Sequence, residues 1–277
     1  FPTTFPFAMS TLTTLNTIPS RPFATFFAAT LPRILRNSIA IVAFIALWEA
    51  LPRFGWVDAT FLPPFSTVVR ALIDMLVSGE LTSHLLASAG RALSGFVIAI
   101  AIGVPLGLFI GWYRSLADVL NPLLEIFRNT APLAILPVFV LVLGMGETSK
   151  ISMVVYSCIW PVMLNTVSGV RNVDPLLIRS ARSMGLSPLS LFYKVVLPAS
   201  VPTVFTGIRV AGAYAILVLV AAEMVGAKAG LGYLINYSQF RLEIPKMYEG
   251  IITLSVLGLA FNQTVLIAER RLTAWKG

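Results

Sequence analysis

Six apolar runs leave this chain one class of fold: residues 34–51, 85–113, 116–143, 151–170, 199–224 and 250–267. Each is about 20 residues or somewhat longer, the length a helix needs to cross hydrocarbon. No water in that layer can satisfy a free N–H or C=O, so a spanning segment must satisfy its own backbone, as a helix does. With 57% hydrophobic and only 12% charged residues, the chain reads as an all-α integral membrane protein with six transmembrane helices.

Orientation follows from the basic residues. An inside N-terminus gives the cytoplasmic side Arg21, Arg33, Arg36, Arg114, Arg171, Arg179, Arg182, Lys194, Arg270, Arg271 and Lys276, eleven in all. The outer side carries six: Arg53, Arg70, Lys150, Lys228, Arg241 and Lys246. That asymmetry predicts a multi-pass protein with both termini inside. Residues 1–33 are Ser/Thr-rich and begin with Phe, not Met, which predicts a mobile or surface-lying tail, with Met9 as a candidate start. Residues 34–277 form the transmembrane domain. The positive charges lie singly on short loops, with no basic patch interleaved with aromatics, so nucleic acid is excluded as a partner and membrane lipid is expected instead. One cysteine (Cys158) and one histidine (His84) leave no material for a disulfide framework or a metal centre, and no metal is expected.

Several features within the spans ask for a packing or a transport role. Gly95, Ala99, Gly103, Gly107 and Gly111 recur every fourth residue, a row of small side chains that lets another helix approach closely. Pro122, Pro132 and Pro137 in the third span and Pro161 in the fourth should kink or interrupt their helices, as expected beside a changeable interior. Charge inside the hydrocarbon is costly, so Glu125, Arg128, Arg209 and Glu223 are candidates for function or internal pairing. Glu49 and Arg91 lie near the outer ends and are expected to reach water. Glu125 and Arg128, three apart, can pair on one helix face. For the translocation pathway the candidates are Arg128, Asn129 and Thr130, then Asn165 with Thr166, and Glu223. An anionic or zwitterionic solute is the chemistry such a set suits. Phe65, Val68, Val69, Leu72, Ile73 and Leu76 share one helical face, opposite Arg70 and Asp74, predicting an amphipathic helix on the outer surface or against the bundle. Gly226, Gly230 and Gly232 should shape an outer turn. No nucleophile–base pair and no phosphate-binding glycine loop in a strand–helix context is present, so no catalytic residue and no bound cofactor are expected.

Between the fourth and fifth spans, residues 174–198 are polar and built to fold locally. Asp174 is an N-cap with Pro175 at the first helical position, and Gly185 can supply a left-handed stop. Ser187 and Pro188 repeat the device. Arg179, Arg182 and Lys194 make this helix–glycine–helix knob basic. A plain connection between spans needs no such construction; a docking surface does.

The knob's pattern, Ala181 followed by Gly185 and then Leu197-Pro198, resembles the EAA loop of bacterial ABC importer permeases. Phe61-Leu-Pro-Pro64, Arg128 through Pro137, Gly144 through Lys150, Asn165-Thr166 with Gly169-Val-Arg171, and Ala221-Ala-Glu223-Met with Gly230-Leu-Gly232 are similar to the nitrate/sulfonate/taurine permease branch. The endings Glu147-Thr-Ser-Lys150 and Arg271 through Trp275 lean toward taurine and sulfonate. The resemblance implies a type I importer fold with a cytoplasmic coupling helix, in a bacterial inner membrane. It implies a second copy of the chain, two ATPase subunits that bind the ATP and Mg, and a periplasmic or lipid-anchored solute-binding protein. Coupling would fall to Arg179, Ala181, Gly185, Leu186, Ser187, Pro188 and Leu189. Arg179 stands where the motif has its leading Glu, and Ser180 where Ala is usual, so any contact made by that acid is lost or reversed in sign. Nitrate, bicarbonate and vitamin or pyrimidine precursors are the alternative cargoes; an ion-coupled secondary transporter is the alternative mechanism, and it would leave the knob unexplained.

Overall fold

A computed structural model describes residues 39–272. The predicted tail, residues 34–38 of the first span and the end of the chain beyond residue 272 lie outside the described residues. Those described form helices α1 (residues 39–53), α2 (Phe65–Val77), α3 (Glu80–Trp112), α4 (Arg114–Asn129), α5 (Pro132–Leu143), α6 (Glu147–Arg171), α7 (Pro175–Ser183), α8 (Pro188–Leu191), a π-helical turn (Phe192–Val196), α9 (Leu197–Met224), α10 (Leu231–Phe240) and α11 (Ile244–Leu272). Among them, α3, α6, α11 and the continuous run Pro188–Met224 are each long and apolar enough to cross a membrane, and α4 with α5 has the length and composition of a fifth, broken span or of a re-entrant loop.

The centre of the bundle is α3, α6 and α9. The glycine row of α3 lies fully buried against α6. A Cβ at Gly95 would sit 2.6 Å from the Cβ of Val154, one at Gly107 2.6 Å from the Cβ of Thr166, and one at Gly111 2.8 Å from the Cβ of Val170. Close packing is therefore what the row does. In lipid, where apolar burial against tails gains little, this backbone approach supplies the van der Waals contact that holds two helices together. Ala211 and Ala215 of α9 and Phe96 of α3 complete the same core.

Two expectations about the spans need correction. The third span is not one helix. It breaks at Thr130–Ala131 and turns by 91°. Of its three prolines only Pro132 marks the break, where it occupies the first position of α5 and needs no backbone donor; Pro122 and Pro137 lie inside helices. Nor does Leu197-Pro198 close the knob. The π-helical turn carries the chain straight from α8 into α9, making one 37-residue rod.

Helix α2 packs on the bundle. Its buried residues are Val68 and Met75, and Met75 joins Leu81, Leu231 and Leu234 in a core with Leu72. Ile73 and Leu76, assigned to the buried face by spacing, are about half exposed. The packed face is rotated because Met75 fills the gap between α3 and α10.

Candidate functional site

The rods α3, α6 and α9 end in two different polar constructions, with a cavity between them. At the end where α3 and α6 begin, Arg91 is 6% exposed. Its Nε and Nη2 donate to the two carboxylate oxygens of Glu147, at 2.5 and 2.7 Å, and its Nη1 donates to Glu223 Oε1 and to the Ala229 carbonyl, both at 2.7 Å. Glu223, at the end of α9 and 1% exposed, also accepts from Ser88 Oγ at 2.8 Å and from Gly232 N–H at 2.9 Å. Lys150, also buried, donates to the carbonyls of Met145 and Gly146. One guanidinium thus ties three helices together, and the 226–232 turn wraps the carboxylate. A Cβ at Gly230 would strike the Glu223 carboxylate, and Gly230 has φ +125°, so glycine is needed there for room and for conformation. His84 Nδ1 accepts from the Gly230 N–H at 3.1 Å, fixing the turn.

The placement of Arg91 differs from the expectation that it reaches water, because two carboxylates from other helices hold it inside. Glu223 is paired internally, one of the two roles expected of it, and does not line the cavity that holds Arg128, Asn129, Thr130 and Asn165. The pairing of Arg91 with Glu147 and Glu223 was not legible in sequence; the partners lie 56 and 132 residues away. Arg209 is likewise paired, with Glu269 of α11. Glu49 accepts from the Ser66 N–H and hydroxyl and meets Arg53.

The break between α4 and α5 opens a cavity of about 340 Å³ whose lining includes Arg128, Asn129, Thr130, Asn165, Trp160 and Tyr214. Four of the six pathway candidates meet there; Thr166 is instead buried, its hydroxyl donating to the Val162 carbonyl. The break itself brings polar atoms to the surface. Asn129 Nδ2 donates to the Glu125 carbonyl at 2.8 Å, and Thr130 Oγ1 to the Ile126 carbonyl at 2.8 Å, so each side chain stays against its own last turn. Asn165 Nδ2 donates to the Pro161 carbonyl at 2.8 Å, and Gly207 of α9 leaves room for the Asn165 Cβ. Among the described residues Arg128 pairs with Glu125 alone, at 3.4 Å, with both side chains more than half exposed. Trp160 stacks on Phe127 and lies edge-on to Tyr156 one turn earlier, so its buried Nε1–H neighbours the Tyr156 hydroxyl. The Arg128 guanidinium in this lining can donate to an anionic oxygen. Sequence reasoning missed Trp160 because tryptophan in a span reads as lipid-facing or core.

At the other end is the elbow. The Asp174 carboxylate accepts from Leu176 N–H at 2.8 Å and Ser187 Oγ from Ser190 N–H at 3.3 Å, as the two cap-plus-proline signals predict; each such cap is worth about 1 kcal/mol. Gly185 has φ +76° and bonds back to Arg182. Ala181 is buried with Leu191, Val196, Val170 and Val173, and Leu108, Trp112 and Leu186 pack on them. That core welds the elbow to the ends of α3 and α6. Outward it presents Leu176 (67% exposed), Met184 (72%) and Leu189 (67%), with Arg179, Ser187 and Pro188 exposed beside them. Large apolar side chains so open on a polar insert mark an interaction surface.

The family model described as "Binding-protein-dependent transport system inner membrane component" matches residues 103–274. The chain is 35% identical, over 87% of its length and 88% of the relative, to a putative aliphatic sulfonates transport permease protein of Bacillus subtilis. It is 30% identical, over 89% of its length and 92% of the relative, to the taurine transport system permease protein of Escherichia coli. Among solved structures, the methionine ABC transporter in an inward-facing conformation superposes with a TM-score of 0.60 at 17% identity, covering 70% of this chain and 96% of that one, a likeness of fold.

Proposed function

This chain belongs to the family of binding-protein-dependent transport inner membrane components and is a permease component of an ABC importer, and from that premise we propose that it carries a small sulfonate, taurine or an alkanesulfonate, into the cytoplasm. The observation that supports the anionic cargo is the cavity at the α4–α5 break, where the Arg128 guanidinium shares one lining with the polar residues Asn129, Thr130 and Asn165. Two copies of the chain assemble about a two-fold axis, since each presents one elbow and a pair of ATPases needs two. The ATPase subunits bind and hydrolyse the ATP. Closure of those subunits pulls on Leu176, Met184 and Leu189. The weld of Ala181 to Val170 and Val196 passes that movement into α6 and the 37-residue rod. ATP binding must favour the outward-facing arrangement over the inward-facing one for the cycle to run. In that state the cavity receives solute from a periplasmic or lipid-anchored binding protein. The elbow and both termini lie in the cytoplasm, on the side favoured by eleven basic residues against six.

The test is ATP hydrolysis by the reconstituted complex with its binding protein, titrated with taurine, an alkanesulfonate, nitrate and bicarbonate. Stimulation by the sulfonates alone is expected. Stimulation by nitrate or bicarbonate alone would reassign the cargo within the same architecture.

A further inference from the structure

The inner side of the elbow holds a feature that docking does not account for, although Arg179 borders both it and the outward face. Between α7 and the ends of α3 and α6 lies a hollow of about 490 Å³, and Arg114, Arg171, Arg179 and Arg182 all line it. Its remaining walls are apolar, Trp112 among them. Among the described residues no carboxylate lines it. Of the acids close in sequence, Asp174 caps α7, and Asp118, 73% exposed, reaches one of the four arginines, Arg171, at 3.3 Å from outside the hollow. Among the described residues Arg114, Arg179 and Arg182 form no ion pair. Four guanidiniums around one hollow repel one another, and low-dielectric walls strengthen that repulsion. A bound anion reverses its sign.

We propose that this hollow is a binding site for a tetrahedral oxyanion, a phosphate or sulfonate group, held by Arg114, Arg171, Arg179 and Arg182 between the elbow and the bundle. Guanidinium is the right donor, because its planar fork gives paired N–H bonds to adjacent oxygens of such a group, which an ammonium cannot match. The occupant bridges α7 to α4 and α6, so its presence stiffens the joint between the elbow and the spans. The group can come from a free anion or from an anionic phospholipid headgroup, whose level in the membrane Trp112 and Tyr113 would mark.

The experiment measures binding of radiolabelled inorganic sulfate to the intact permease–ATPase complex by equilibrium dialysis, with ionic strength held constant by chloride. The complex sits in nanodiscs of phosphatidylcholine alone, or of phosphatidylcholine with phosphatidylglycerol. Saturable binding is expected in phosphatidylcholine, weakened about tenfold or more in Arg114→Gln/Arg171→Gln, as loss of charge-assisted hydrogen bonds implies. The single variant Arg114→Gln, on an exposed side chain, should weaken binding in the same direction and guards against a folding defect in the pair. Suppression by phosphatidylglycerol assigns the site to a headgroup, and persistence assigns it to a soluble anion; either supports the site. No saturable binding, equal binding by both variants, or binding that appears only after the ATPases are stripped away would overturn the proposal.

Discussion

The two ends of the same three rods solve opposite problems. Around Glu223 every strong charge is answered from within the chain: Arg91 is shared by Glu147 and Glu223, and Lys150 by two carbonyls. Around Gly185 the backbone is satisfied by local caps, but Leu176, Met184 and Leu189 face outward, and Arg114, Arg179 and Arg182 form no ion pair among the described residues. A self-sufficient end holds the rods in register. An end that leaves apolar and cationic groups unanswered is where the molecule requires something else. That difference is why we propose the elbow, and not the buried charges, as the place where an outside force enters.

The largest expected effect lies in the closed end. Arg91→Ala strands Glu223 with no countercharge, and breaking a buried pair costs about 3–5 kcal/mol. Thermal unfolding of the purified chain should fall steeply, with Arg91→Lys recovering part of the loss; an unchanged melt would mean the pairing is dispensable. Next comes the interior that joins the two ends. Gly107→Leu drives a side chain into Thr166 and the Met163 carbonyl, and overpacking of about 1–3 kcal/mol or more should lower the melt and the yield in the membrane. At the elbow, Gly185→Pro cannot adopt φ +76°. Here the prediction separates two readouts: the bundle's melt should shift little, while ATP hydrolysis continues without transport. Coupled transport in that variant would remove the elbow's role. Arg128→Ala is smallest in stability, because an exposed i,i+3 pair is worth at most about 1 kcal/mol. Its uptake should drop nonetheless, and normal uptake would reduce Arg128 to a packing residue.

The features legible in sequence were those set by neighbours along the chain. The caps at Asp174 and Ser187, the left-handed Gly185 and the small-residue row of α3 each depend on residues within a turn or on one helix face, and each is found as read. The cavity at residue 130 was half legible. Arg128, Asn129 and Thr130 are consecutive, and Asn165 meets them because α4 and α6 cross there, but the 91° break that opens the space is tertiary. The ion-paired end was not legible, since Arg91, Glu147 and Glu223 lie on three helices and nothing local marks them as partners. Reading Arg91 as a residue that reaches water failed for the same reason: proximity to a helix end says where water could be, not which carboxylate is nearer.

One measurement bears most directly on the elbow. Cys158, the chain's single cysteine, is fully buried, so a cysteine placed at Met184 can be followed alone. In native membranes, Met184→Cys is predicted to cross-link to the ATPase subunit, with a yield that changes when ATP is bound, and to resist thiol reagents that cannot cross the membrane. Labelling of that cysteine from outside the cell, with no cross-link to the ATPase, would contradict the account.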